Sequence, residues 1–217
     1  MRIVAISDTH GAHEELELPA GDVLVHAGDF CRWGVDFDEV RVFLAWFAAQ
    51  PHPHKVLIAG NHDLVVEREP AAFHALVPTG VTYLEDSAAE IGGFHFWGSP
   101  WTPEFYDWAY MLPRGEPLRA RWDLIPAETD VLITHGPPYG HGDVALPHVR
   151  EHPSAVGCAE LLSAVRRVRP RLHVFGHIHE GHGVSLSDEL PETVFANAAS
   201  STVDLRGLHP PLVLEVG

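Results

Sequence analysis

Lys55-Val56-Leu57-Ile58-Ala59-Gly60-Asn61-His62-Asp63 is an apolar run that stops at a glycine and then delivers a carboxamide, an imidazole and a carboxylate. Residues apolar at consecutive rather than alternate positions suit a strand covered on both faces. The device recurs along the chain. Arg2–Ser7 is followed by Asp8-Thr9-His10, and Asp22–Ala27 by Gly28-Asp29. Val131–Thr134 leads into His135-Gly136-Pro137-Pro138, and His173–Phe175 into Gly176-His177-Ile178-His179. Four further strand-like runs lie at Val81–Leu84, Phe94–Trp97, Thr193–Ala196 and Pro211–Val216.

Helical patterns separate these runs. Asp38–Ala49 places Val40, Phe43, Leu44 and Phe47 on one face, and Pro51 and Pro53 stop it. Glu69–Leu76 is a weaker pattern. Ser154–Val168 reads as a helix capped by Ser154, with Val156, Leu161, Leu162 and Val165 inward and Pro170 at its end. Strand and helix in alternation predict an α/β architecture, taken as one domain over residues 1–217. Gly98–Pro126, rich in Trp, Pro and Tyr, reads as a long ordered excursion over the site, with a short helix near Leu118–Trp122.

Ligands in α/β sheets bind beyond the carboxyl ends of the strands. Five strand ends here carry Asp, His or Asn to that edge. Each motif alone also has an ordinary turn reading, Gly-Asp above all; their succession after five strands carries the argument. Asp8, His10, Asp29, Asn61, His135, His177 and His179 are too many ligands for one ion and suit two that share a carboxylate. Carboxylate, imidazole and carboxamide without thiolate favour Mn, Fe, Zn or similar divalent ions. Paired ions about 3.5–4 Å apart activate water and clamp the attacking and leaving oxygens at phosphorus.

Composition narrows the partners. Lys+Arg 14 against Asp+Glu 30 gives a formal charge of −16, which disfavours long nucleic acids and anionic membranes. Two divalent ions would return about +4 locally, so a single phosphate remains compatible. The 17 histidines exceed what packing needs. Asn61 and Asn197 are the only asparagines. Cys31 and Cys158 make no CxxC pair, and no secretory pattern or membrane-length apolar run is visible, so a reducing cytoplasmic setting is expected.

These blocks, in this order, resemble the calcineurin-like metallophosphoesterase superfamily. Gly157-Cys158-Ala159-Glu160-Leu161-Leu162 and Arg169–Gly183, with Gly98–Pro103 and Thr134–Pro138, are similar to the MPPED subfamily of class III phosphodiesterases. The likeness runs from Arg2 to about Val216. It implies a two-sheet β-sandwich flanked by helices, with a dinuclear site at the strand C-terminal ends. It also implies that Asp8, His10 and His179 hold one ion, that Asn61, His135 and His177 hold the other, and that Asp29 bridges them. Manganese comes first, with Fe, Zn, Mg or Co as alternatives. His62 would stabilise the transition state or protonate the leaving alkoxide, and a hydroxide bridging the ions would attack. Some subfamily members have Gly in place of the first His of Gly-His-x-His and are poorer catalysts; His177 is present here.

The implied activity is hydrolysis of small phosphodiesters such as cyclic nucleotides. A phosphomonoesterase using the same ions, or a catalytically weak metal-binding scaffold, are the alternatives. Asp63 could orient His62, or simply form a turn or cap a helix. His182, Trp101, Tyr106 and Trp108 are candidates for substrate contact, the aromatics alternatively packing the excursion onto the body. Asn197 reads as support for a neighbouring motif. The oligomeric state is not legible.

Overall fold

The structure, a computed structural model, describes residues 1–146 and 154–217. Two sheets face one another. The first has the spatial order Leu212–Glu215, Arg2–Ile6, Val23–Ala27, His54–Ile58, Val81–Tyr83. The second runs Gly183–Ser185, Val194–Asn197, Leu172–Phe175, Val131–Thr134, Phe94–Ser99, Ser87–Ile91. Strands pair in parallel except for Leu212–Glu215, Gly183–Ser185 and Ser87–Ile91, which lie antiparallel at sheet edges.

The unbroken apolar strands are explained by what covers them. Side chains alternate across a strand, so Ile3, Ala5, Val25, Val56 and Ile58 meet Phe96, Val131, Ile133 and Val174 between the sheets. Val4, Ile6, Leu24 and Leu57 point the other way, onto Phe43, Phe47 and Phe73 of helices Phe37–Ala49 and Pro70–Leu76. On the far side, Trp97, Leu132, Phe175 and Phe195 pack against Leu118 and Trp122 of Glu116–Trp122 and Leu161 and Val165 of Ala159–Val168. The result is a helix–sheet–sheet–helix sandwich, the calcineurin-like α/β arrangement that the resemblance implies.

Register aligns the strand ends. Ile6 sits opposite His26 and Ala27 opposite Ile58, so Asp8, Asp29 and Asn61 emerge along one edge. Val174 sits opposite Ile133, which carries His135 and His177 out along the corresponding edge of the second sheet. A bridge between Ser7 and Ala199 ties the two edges together. Among the described residues no helix is long and apolar enough to cross a membrane.

Two expectations are corrected. The helix predicted over Ser154–Val168 begins at Ala159, and Ser154 does not cap it; Ser154–Ala155 instead pairs with Val144–Ala145. Asp143 holds the amides of Gly140 and Gly157, which keeps the chain before residue 158 out of the helix. The cap is Cys158, whose Sγ accepts from the Leu161 amide at 3.3 Å. Val156 consequently lies outside the helix's inner face. The excursion predicted over Gly98–Pro126 holds more structure than its short helix: Thr102–Pro103 pairs with Met111–Leu112 within it.

His26 and His173 are fully buried. The imidazoles pair with Thr9 Oγ1 at 3.0 Å and Thr134 Oγ1 at 2.8 Å, and burial pushes both down to about 3. A histidine depressed on folding binds its proton more tightly when unfolded. It therefore stabilises the fold above the unfolded value near 6.5, and that stability is lost as pH falls. His173→Gln should accordingly remove about 2 kcal/mol of the decline in unfolding free energy between pH 7 and pH 5, measured by urea melts. An unchanged pH slope would contradict the assignment.

Candidate metal centre

The site is made where strands stop abruptly. Asp8, His10, Asp29 and His177 all adopt left-handed backbone conformations, with φ of 51°, 45°, 58° and 68°. Non-glycine residues persist there only when surrounding structure over-determines them. Glycines supply the room. A Cβ at Gly28 would stand 2.6 Å from the Ala59 carbonyl and 2.7 Å from His135 Nδ1. One at Gly60 would collide with the Asp29 carboxylate, and one at Gly176 with Asp8 Oδ2 and Ser7 Oγ.

The carboxylates are buried, Asp8 at 0 % exposure and Asp29 at 2 %. Each gives one oxygen to a backbone amide: Asp8 Oδ2 accepts from His177 at 2.9 Å and Asp29 Oδ1 from His62 at 2.7 Å. The other oxygens turn toward imidazoles. His179 Nε2 lies 3.5 Å from Asp8 Oδ1, and His135 Nε2 3.4 Å from Asp29 Oδ2. His10 Nε2 is 3.3 Å from His179 Nε2 and 4.0 Å from Asp29 Oδ2. Asn61 Oδ1 is 2.8 Å from His135 Nε2. Three sets of ligand atoms fall within 4.8 Å of one another: Asp8, His10 and His179; His10, Asp29 and His62; Asp29, His135 and His177. His10 and Asp29 each belong to two of them.

Backbone carbonyls aim the rings. Nδ1–H of His10, His62 and His135 donates to the carbonyls of Cys31 (3.3 Å), Arg32 (2.8 Å) and Ala27 (2.9 Å). A carbonyl only accepts, so the donating nitrogen is settled and each Nε2 is left for the cleft.

Burial alone would neutralise both aspartates. His179 and the His135 charge outweigh it at Asp8, and the His135 and His62 charges outweigh it at Asp29; both carboxyls are held well below the usual range. Burial lowers His135, but the adjoining Asp29 wins and pushes it up to about 9. His179 is raised likewise, Asp8 overcoming burial. His177 is pushed down to about 4, by burial and then by the His135 charge. Two buried anions thus draw positive charge to one place. A divalent cation meets that demand, and its fit has a local sign: among the described residues Asp8 Oδ1 is buried without a hydrogen-bond partner, His179 Nε2 standing off at 3.5 Å.

All seven proposed ligands and His62 meet at this edge. The remaining candidates divide. Asp63 is buried and does not orient the His62 ring; its carboxylate takes the amides of Asp29 (3.0 Å), Cys31 (2.9 Å) and Gly60 (2.7 Å), fixing the two loops that carry Asp29 and Asn61. Asn197 supports the Gly-His-x-His loop, donating to the Ile178 carbonyl at 2.9 Å. Trp108 lies against the site, stacked on His62 at 4.2 Å.

Trp101 is not at the mouth. Its Nε1 donates to Asp86 and its ring lies under Arg121, so it packs the excursion onto the body. Tyr106 is 76 % exposed against Phe105, and Phe105 lines the cleft instead. His182 stacks on His209 and donates to the Ala199 carbonyl, away from the cleft walls. Sequence reading overlooked Arg32, Trp33, Phe105 and Leu205, which border the cleft. Only Arg32 and Trp33 had a signal, their place three and four residues after Asp29 of the Gly-Asp motif.

Comparisons with known proteins bear on the family and the fold. The family Calcineurin-like phosphoesterase matches residues 1–181. The chain is 42% identical over 238 residues to human Metallophosphoesterase domain-containing protein 1, covering 99% of this chain and 71% of that protein. It is 40% identical over 233 residues to a UPF0046 protein of Caenorhabditis elegans, covering 100% and 81%. The crystal structure of TT1561 of Thermus thermophilus shares the fold, with a TM-score of 0.62 at 16% identity over 91% of this chain and 88% of that one. The chain therefore belongs to the calcineurin-like phosphoesterase family, metal-dependent hydrolases of phosphoesters.

Proposed function

We propose that this protein is a phosphodiesterase for small diesters, working with two divalent cations, manganese foremost. The observation that carries the reading is the position of the buried Asp29 carboxylate, whose Oδ2 lies 4.0 Å from His10 Nε2 on one side and 3.4 Å from His135 Nε2 on the other. Asp8, His10 and His179 hold one cation, and Asn61, His135 and His177 the other. Mixed oxygen and imidazole donors suit manganese. The formal charge of −16 favours a small substrate over a polyanion. Cys31 and Cys158, both free and buried, fit a reducing cytoplasm. We take residues 1–217 as one domain built on the sandwich.

When bound, the cations supply Lewis acidity to the phosphoryl oxygens and to the attacking water. The chain's own groups do the rest. As the water oxygen bonds to phosphorus and releases a proton to solvent, the bond from phosphorus to the departing oxygen breaks, and that oxygen needs a proton. His62 Nε2 faces the cleft while Nδ1–H is pinned on the Arg32 carbonyl, so a second ring proton, carried on Nε2, is the one delivered, and solvent then replaces it. Stacking on Trp108 fixes the ring plane, and Trp33 backs Trp108 at 6.5 Å. Arg32 brings positive charge to the same wall.

The protein should hydrolyse bis(p-nitrophenyl) phosphate with added manganese, lose that activity to EDTA and regain it on reloading. No metal-stimulated turnover on diester or monoester would overturn the proposal, and faster turnover of p-nitrophenyl phosphate would make the enzyme a monoesterase. His62→Ala should lower kcat by about 10²–10⁴-fold with bound metal unchanged by elemental analysis; loss of metal would place His62 among the ligands. Trp108→Ala should cost about tenfold in kcat through misorientation of His62, with Trp108→Phe close to the parent. Equal rates in all three would remove the orienting role.

A further inference from the structure

Three cavities open around the donor cluster, and Leu205 borders all of them. One lies over the cluster, against Asp29, Asn61, His62 and Trp33. A second, on the His10 side, is edged by Thr9, Glu15, Arg32 and Glu39. The third encloses about 280 Å³ and differs in character: Phe105, Pro137, Val156 and Ile178 form its walls. It reaches the donor cluster at His177 and His179 and does not touch His62.

Several observations say what this third cavity is for. Phe105, Val203 and Leu205 are large apolar side chains left 36 %, 38 % and 57 % exposed, and all three converge on it. Converging exposed apolar groups beside a reactive centre mark a binding surface. Leu205 is held at φ 54°, a conformation leucine rarely adopts. The turn that holds it there is tied by Thr202, whose amide donates to the Gly207 carbonyl at 2.9 Å and whose carbonyl accepts from Leu205 at 2.9 Å. Burial does not explain that strain, since the side chain stays open to solvent at the junction of the cavities.

The charges say what is excluded. Glu104 lines the cavity and repels a second anionic group. Its arginine, Arg114, is committed to the carbonyls of Val156 and Gly157. A phosphate bound at the donor cluster would therefore extend into this space through a neutral group. The volume, just under that of pockets for drug-sized ligands, suits a ring and not a long chain.

We propose that this cavity holds the ester arm that stays on the phosphate, and that this arm is a flat, uncharged, apolar ring. The inference rests on the phosphodiesterase reading, because the departing arm must lie beside His62, which this cavity does not reach. It adds the chemical class of the retained arm.

The test uses p-nitrophenyl diesters that differ only in the other arm: methyl, phenyl, and phenyl bearing a carboxylate. With the manganese-loaded protein, kcat/KM should favour phenyl over methyl by about tenfold or more, and the carboxylate should erase the advantage. Val156→Trp, which fills the cavity, and Phe105→Ala, which strips a wall, should each bring the phenyl-to-methyl ratio toward one. Calorimetric binding of phenylphosphonate against methylphosphonate reads the same preference without turnover. Tighter phenylphosphonate binding with no hydrolysis of any diester would sink the catalytic reading and leave the cavity assignment standing. Equal values for phenyl and methyl in both assays, or a ratio that survives both substitutions, would overturn the assignment itself.

Discussion

Asp8 and Asp29 are buried carboxylates held anionic at the meeting edge of two sheets, and the rest of the site answers to that charge. Each spends one oxygen on a backbone amide and turns the other toward imidazoles. Isolated charges this deeply buried are costly unless paired, which is why histidines from separate strand ends crowd around them. The left-handed turns at Asp8, His10, Asp29 and His177 follow from the same demand. A strand that continued straight would carry these side chains past one another.

Rigid and adaptable parts are separated in this molecule. The donors stand at the ends of strands whose both faces are buried, so their positions are set by the core. The groups bordering the cleft come from connecting segments: Arg32 and Trp33, Phe105, and Leu205, with Trp108 stacked on His62. Asp63 braces the donor side by fastening the Asp29 and Asn61 loops to each other through three amides. Loops on a fixed scaffold are where specificity is ordinarily carried.

Much of this was legible in the sequence because it is local. Unbroken runs such as Val56-Leu57-Ile58 announce strands covered twice, and the donor residues follow within a few positions of those strands. Ser87–Ile91 went unread because Ser-Ala-Ala-Glu-Ile carries little β-branched character, and its pairing with Phe94–Ser99 supplies the strand. The start of the helix at Ala159 was hidden because Asp143, distant in sequence, holds the preceding segment. The partners of Asp63, the placement of Trp101 against Asp86 and Arg121, and the convergence of Phe105 and Leu205 all depend on contacts between remote segments. No spacing rule encodes them.

The account stands on one shared carboxylate. Electron paramagnetic resonance of the manganese-loaded protein tests it most directly, because two Mn²⁺ ions sharing Asp29 would be magnetically coupled. The account predicts two ions per chain with an exchange-coupled spectrum, and uncoupled or lost manganese in Asp29→Ala. A parent protein that binds a single ion, or two ions with uncoupled signals, would contradict it.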